Sequence, residues 1–131
     1  VGELYLLKVA ENLLLEDPQS DTLTPALLDE VLEAMHNQVG HDVMRKWDLP
    51  EAYARVARDH HAVEFKSDDI LMIMCRLMDQ ACRKLGLAGP ADPDVQLAAN
   101  FEAQLLGLTD VKAAQLEIFL EDAIAGAAEF R

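Results

Sequence analysis

A chain of 131 residues that is 51% apolar is long enough to bury a core and too apolar to stay disordered. Its formal net charge of −13, with eleven Lys and Arg scattered among twenty-four Asp and Glu, argues against nucleic acid and against acidic membrane surfaces as partners. No apolar run reaches the roughly 18 residues of a transmembrane helix, and no signal peptide is visible, so a cytoplasmic protein with a solvated acidic surface is expected.

The chain opens at Val1, already at helical period and without Met, which reads as a chain lacking its front. A first helix is predicted from Glu3 to Glu16, with Leu6, Leu7, Ala10, Leu13 and Leu14 on one side, stopping at the breaker-rich DPQSD. Thr24 reads as an N-cap with Pro25 in the first helical position. The stripe Leu28, Leu32, His36, Val39, Val43 and Trp47 then continues as one long helix to about Asp48. Pro50 opens a short helix whose inner line is Tyr53, Val56, Ala57 and His60. After the connector AVEFKS, Ser67 is the expected cap of the most apolar helix. It carries Ile70, Leu71, Ile73, Met74, Leu77, Met78, Ala81 and Leu85, ends at Gly86, and is expected to be covered on several sides. GLAGPADP is a loop. Asp92 with Pro93 is expected to start a helix through Leu106, and Thr109 to cap a last one to about Phe130.

No segment alternates at period two. The predicted fold is therefore all-α, a single-domain bundle of about six helices over 1–131, with a main core in 1–86 and a C-terminal helical pair in 92–131.

Cys75 and Cys82 lie two helical turns apart, about 10 Å between Cα atoms and too far for a disulfide. They are expected to be reduced, small apolar filler. Phosphate loops, GxSxG, CxxC and HExxH are absent from the sequence. The candidates for chemistry are thus the histidines. His36 falls on the apolar stripe of its helix. His41 lies about 140° further round and is expected at the surface. His60 faces inward and His61 flanks it. An imidazole in a core needs hydrogen bonds or a metal. The commoner arrangement is a core pair satisfied by carbonyls or a carboxylate; the sharper one is a metal site. Asp79, at the border of the buried face between the Cys75/Cys82 side and the Arg76/Arg83 side, reads either as a rim acid or as a ligand or orienting acid.

The run MHNQVGHDVMRKWDLPEAYARVARDHH, residues 35 to 61, resembles the HDOD family, bacterial regulatory domains related to the HD superfamily of metal-dependent phosphohydrolases. The matching positions are His36, Val39 with Gly40, Trp47, Leu49 with Pro50, and His60 with His61. LMDQA resembles a later family segment and places Asp79 at the superfamily's last metal aspartate. LLGLTDVKAAQLEIFLEDAI resembles the C-terminal helices. VGELYLL resembles the segment after the defining His-Asp doublet, with Glu3 where a basic residue is usual. That doublet is not in this chain.

The resemblance implies an HD-like helical fold and an incomplete site, with His36, His60, His61 and Asp79 as candidate metal ligands expected to converge. It implies a non-catalytic output domain of bacterial signal transduction that acts on protein partners and has no resident cofactor. Apolar surface left by an absent front is a route to a homodimer. The alternative is a phosphohydrolase or phosphodiesterase using iron, manganese or zinc, if the doublet lies upstream.

Overall fold

The computed structural model describes residues 1–18, 23–87 and 90–128. Among these residues are six α-helices and no strand: α1 (Gly2–Glu16), α2 (Pro25–Lys46), α3 (Glu51–Asp59), α4 (Ile70–Lys84), α5 (Phe101–Leu105) and α6 (Asp110–Ala128). None is long and apolar enough to cross a membrane. The chain divides into two compact units, Val1–Glu64 and Phe65–Arg131, so α4 groups with the C-terminal helices. The loop GLAGPADP lies partly outside the described residues, as does the end of the last predicted helix.

In the first unit α2 packs against both α1 and α3. It starts as its sequence demands. The Thr24 hydroxyl accepts the Leu27 N–H at 3.2 Å, and Pro25 occupies the first turn, where its missing N–H costs nothing. It stops in a left-handed residue. Asp48 has φ 55°, its N–H donates to the Arg45 carbonyl, and the Leu49 N–H reaches back to the Met44 carbonyl at 3.0 Å. This is a Schellman ending with aspartate in the place glycine usually takes. Pro50 follows as the N-cap of α3, so the corner between α2 and α3 is tight.

The other contact of α2 rests on the absence of side chains. A Cβ on Gly2 would collide with the His36 carbonyl, and one on Gly40 would sit 3.4 Å from the Gly2 nitrogen and 3.5 Å from the Ala57 Cβ. Glycine is needed at Gly2 because the α1 backbone runs directly over that of α2. Ala10 and Ala54 are buried as well. The apolar side of α1 is mostly not buried: Ala10 is, Leu6 is half-buried, and Leu7, Leu13 and Leu14 are exposed, with Leu4 72% and Leu15 71% exposed. Within the unit α1 packs against α2, and most of its leucines lie off that contact.

The second unit is built on larger side chains. Leu77 and Ala81 of α4 meet Leu97, Ala103 and Ala113, with Leu106, Leu116 and Leu120 packed around them. Ile73 and Leu97 are fully buried. Beside this core, Arg76 Nε donates to Glu102 Oε1 at 2.8 Å, with the guanidinium 4.4 Å from the centre of the Phe65 ring. α4 is capped by Asp69, whose Oδ1 accepts the Met72 N–H at 3.2 Å, and not by Ser67. The chain from 67 to 69 makes a turn first, which moves the helix start to Ile70. Ile70 and Met74 are about half exposed, so α4 is covered on fewer sides than its composition suggests.

The helix expected from Asp92 to Leu106 is broken. Asp92 Oδ1 accepts the Asp94 N–H in a local turn, a short 3-10 turn spans Leu97–Ala99, and Asn100 is extended with ψ 147° before α5 begins. A short polar side chain that bonds its own backbone competes with the helix at its start. Thr109 does stand before the last helix, its hydroxyl accepting the Lys112 N–H at 3.4 Å.

Candidate metal centre

The α2–α3 corner turns α3 back along α2, which carries the last residues of α3 to the level of His36. His60 is the C-cap of α3 and His61 follows it. His36 meets both other rings edge-on, with centroids 5.5 Å from His60 and 5.2 Å from His61, while His60 and His61 are tilted against each other at 4.0 Å. His36 and His60 are half-buried and His61 is exposed, so the group opens to solvent.

Two of the three tautomers follow from the backbone. His36 Nδ1 lies 2.7 Å from the Leu32 carbonyl, and His60 Nδ1 lies 3.0 Å and 3.1 Å from the carbonyls of Ala57 and Val56. A carbonyl can only accept, so in the neutral rings Nδ1 carries the proton and Nε2 the lone pair. His61 Nε2 lies 3.1 Å from His36 Nε2, so His61 donates its Nε2–H to the His36 lone pair.

One potential ligand atom from each of these three rings lies within 4.8 Å of the others. Two nitrogens on a tetrahedral zinc, each at about 2.0–2.1 Å, stand about 3.3 Å apart, close to the His36–His61 separation. Carbonyls holding the outer nitrogen of a ring are also the usual orienting partners of metal-bound histidine. The group fits a metal in donor type, and at His36 and His60 in tautomer.

Of the residues singled out by sequence, His36, His60 and His61 come together in the first unit, with His60 inward and His61 flanking. Asp79 sits half-buried on α4 in the second unit. There its charge adds to burial, the larger cause, in pushing the thiols of Cys75 and Cys82 above their ordinary range. Both thiols are unbridged.

The expected surface position of His41 is wrong. His41 is 7% exposed, with Nδ1 bonded to Asp42 Oδ1 at 3.0 Å. Because α2 is gripped by helices on two sides, its covered arc reaches past 140°. That bond, then one from Gln38, holds the Asp42 carboxyl below the usual carboxylate range. Next to the cluster, Arg58 donates to both oxygens of Asp59 at 2.7 and 2.8 Å, which lowers the Asp59 carboxyl and raises the Arg58 guanidinium. The sequence pointed to backbone carbonyls in general but did not single out those of Leu32, Val56 and Ala57, three or four residues before an inward histidine, since every helical residue offers one.

The family model of the HDOD domain matches residues 1–63. Those residues are similar to the HDOD family. The match covers nearly the whole first unit and ends two residues beyond His61, so the whole histidine group lies inside the HDOD stretch. The likenesses read at LMDQA and in the C-terminal helices fall outside it. No curated protein and no solved structure matches the chain significantly.

Proposed function

We propose that this chain is a non-catalytic regulatory module of bacterial signal transduction, acting in the cytoplasm through a protein partner. The HDOD match over 1–63 supports the signalling role. The observation that carries the non-catalytic reading is the donor set. Among the described residues, the group able to hold a metal consists of three imidazoles and no carboxylate. A phosphohydrolase of the HD type uses an aspartate beside its histidines, to hold metal and to order the attacking water. The exposed leucines of α1 supply the apolar surface that a partner requires.

A second reading, metal-dependent phosphohydrolase, is favoured by the pre-set tautomers of His36 and His60. Hydrolysis of a chromogenic phosphodiester separates the two. With manganese, iron(II) or zinc, turnover by the protein is expected to equal that of H36A. Metal-dependent turnover that vanishes in H36A replaces the regulatory reading with the enzymatic one. For the interaction itself, proximity labelling in the native cell is expected to mark a protein that an L4E/L15E variant no longer marks.

A further inference from the structure

We infer that α1 is the interface of a two-fold homodimer, in which the helices of two copies pack antiparallel about a point between Val9 and Ala10. The second copy covers the α1 leucines already read as an interaction surface, and the dimer rests on that reading. Successive helical residues turn by about 100°. Gly2 and Ala10, the residues that α1 buries, therefore mark one side of the helix, and Leu4, Lys8, Glu11 and Leu15 share an arc of about 60° on the other. Leu4 and Leu15 are the most exposed leucines of α1. Leu7 and Leu14 flank the arc on one edge and Tyr5 on the other, all three exposed. Apolar residues thus ring a helix that packs against α2 on one side, and a helix apolar all round is one that is buried in its working state.

The occupant follows from the order of residues along the arc. Leu4, Lys8, Glu11 and Leu15 run apolar, positive, negative, apolar, a series that complements itself when reversed. Against an antiparallel second copy, Leu4 meets the partner's Leu15 and Lys8 meets the partner's Glu11, each contact made twice by symmetry. Leu7 and Leu14 share an edge, so across the two-fold they face the partner's Leu14 and Leu7. Glu3 and Glu16, which the same register would oppose, lie on opposite edges of the helix and are kept apart. A parallel pair would instead set Lys8 against Lys8 and Glu11 against Glu11. The face carries one cation and one anion, so it draws a second copy by local complementarity although each chain has a net charge of −13. Within one chain Lys8 Nζ donates to Glu11 Oε2, and the two side chains remain 65% and 58% exposed, within reach of a partner. One face of a 15-residue helix falls short of the roughly 800 Å² that a standard interface takes from each partner. The dimer is therefore reversible, dissociating at roughly micromolar concentrations or above.

Sedimentation equilibrium over chain concentrations from about 10 μM to about 1 mM tests this. A monomer–dimer equilibrium is expected. K8E and E11K each set like charges against one another at both symmetric pairs and should weaken the dimer by about tenfold. The double swap K8E/E11K restores opposite charges and should recover most of the original affinity, a rescue that a different partner on this face would not produce. L4E/L15E should leave monomer alone. All four variants change exposed side chains, and circular dichroism should show the helix content of the unsubstituted chain. Monomer throughout the range for the unsubstituted chain, undiminished dimerisation of K8E, or a double swap no tighter than K8E overturns the assignment. A monomeric chain that still marks an L4E/L15E-sensitive protein in the cell overturns the dimer and leaves the regulatory reading standing. Dimerisation with the charge-swap pattern, alongside metal-dependent turnover lost in H36A, upholds the dimer and removes that reading.

Discussion

Residues 1–64 and residues 65–131 bury different materials. In the first unit the buried positions are Gly2, Ala10, Gly40, His41, Val43, Ala54 and Val56; in the second they include Met72, Ile73, Leu77, Leu97 and an ion-paired Glu102. All four histidines belong to the first unit and both cysteines to the second. Helices separated by glycine and alanine are held by backbone contact, so the positions of the side chains they carry vary little. That placement serves a three-ring cluster, and it gives up apolar burial, which leaves the leucines of α1 exposed. The second unit gains its stability from aliphatic packing and shows no comparable grouping of ligand side chains among the described residues.

This contrast can be broken most forcefully at Glu102. Glu102→Ala removes a carboxylate bonded to the largely buried Arg76 guanidinium and should cost about 3 kcal/mol in denaturant unfolding. The histidine ring signals of the first unit should not move. If they do, the two units are not separate in their energetics. Gly2→Ala is the matching insult to the first unit. The new Cβ meets the His36 carbonyl, a backbone atom that cannot turn aside, so a loss of about 2 kcal/mol is expected in the same unfolding measurement.

Asp69→Ala removes the N-cap of α4 and should cost about 1 kcal/mol, where Ser67→Ala should cost far less; circular dichroism melts check both. Asp48→Gly relieves a left-handed non-glycine residue and should stabilise the first unit by about half a kcal/mol. The smallest effect sharpens the second unit. Folding holds the protons on Cys75 and Cys82, chiefly by burial. Their contribution to stability is therefore present below the ordinary thiol range and lost as pH rises through the raised values. Iodoacetamide should alkylate both more slowly than it does the urea-unfolded chain at pH 8, and the gap should narrow as the pH is raised.

Where a structural cause is local, the sequence displayed it. Thr24 with Pro25 marked the start of α2, and Asp48-Leu49-Pro50 marked the corner. The inward phase of His36 and His60 followed from helical period alone. What stayed hidden depends on neighbours. Periodicity cannot say that α2 is gripped on two sides, so His41 was misplaced. Nor can it say how much of the apolar side of α1 its neighbour covers, and most of those leucines are exposed. The late helix start after Asp92 reflects competition between a side chain and the helix, which an apolar stripe conceals. The cluster itself was legible as residues but not as chemistry, because the tautomers depend on carbonyls that every sequence possesses.

The left-handed turn at Asp48 also bears on how the cluster assembles. Only 25 positions separate His36 from His61, and most of them lie within the two helices that the turn joins. Closing such a hairpin costs little chain entropy, and contacts of short sequence separation form early. The three rings therefore meet as soon as α2 and α3 fold against each other, without waiting for residues 65–131. An ion or partner that recognises them can engage a chain that is still being made.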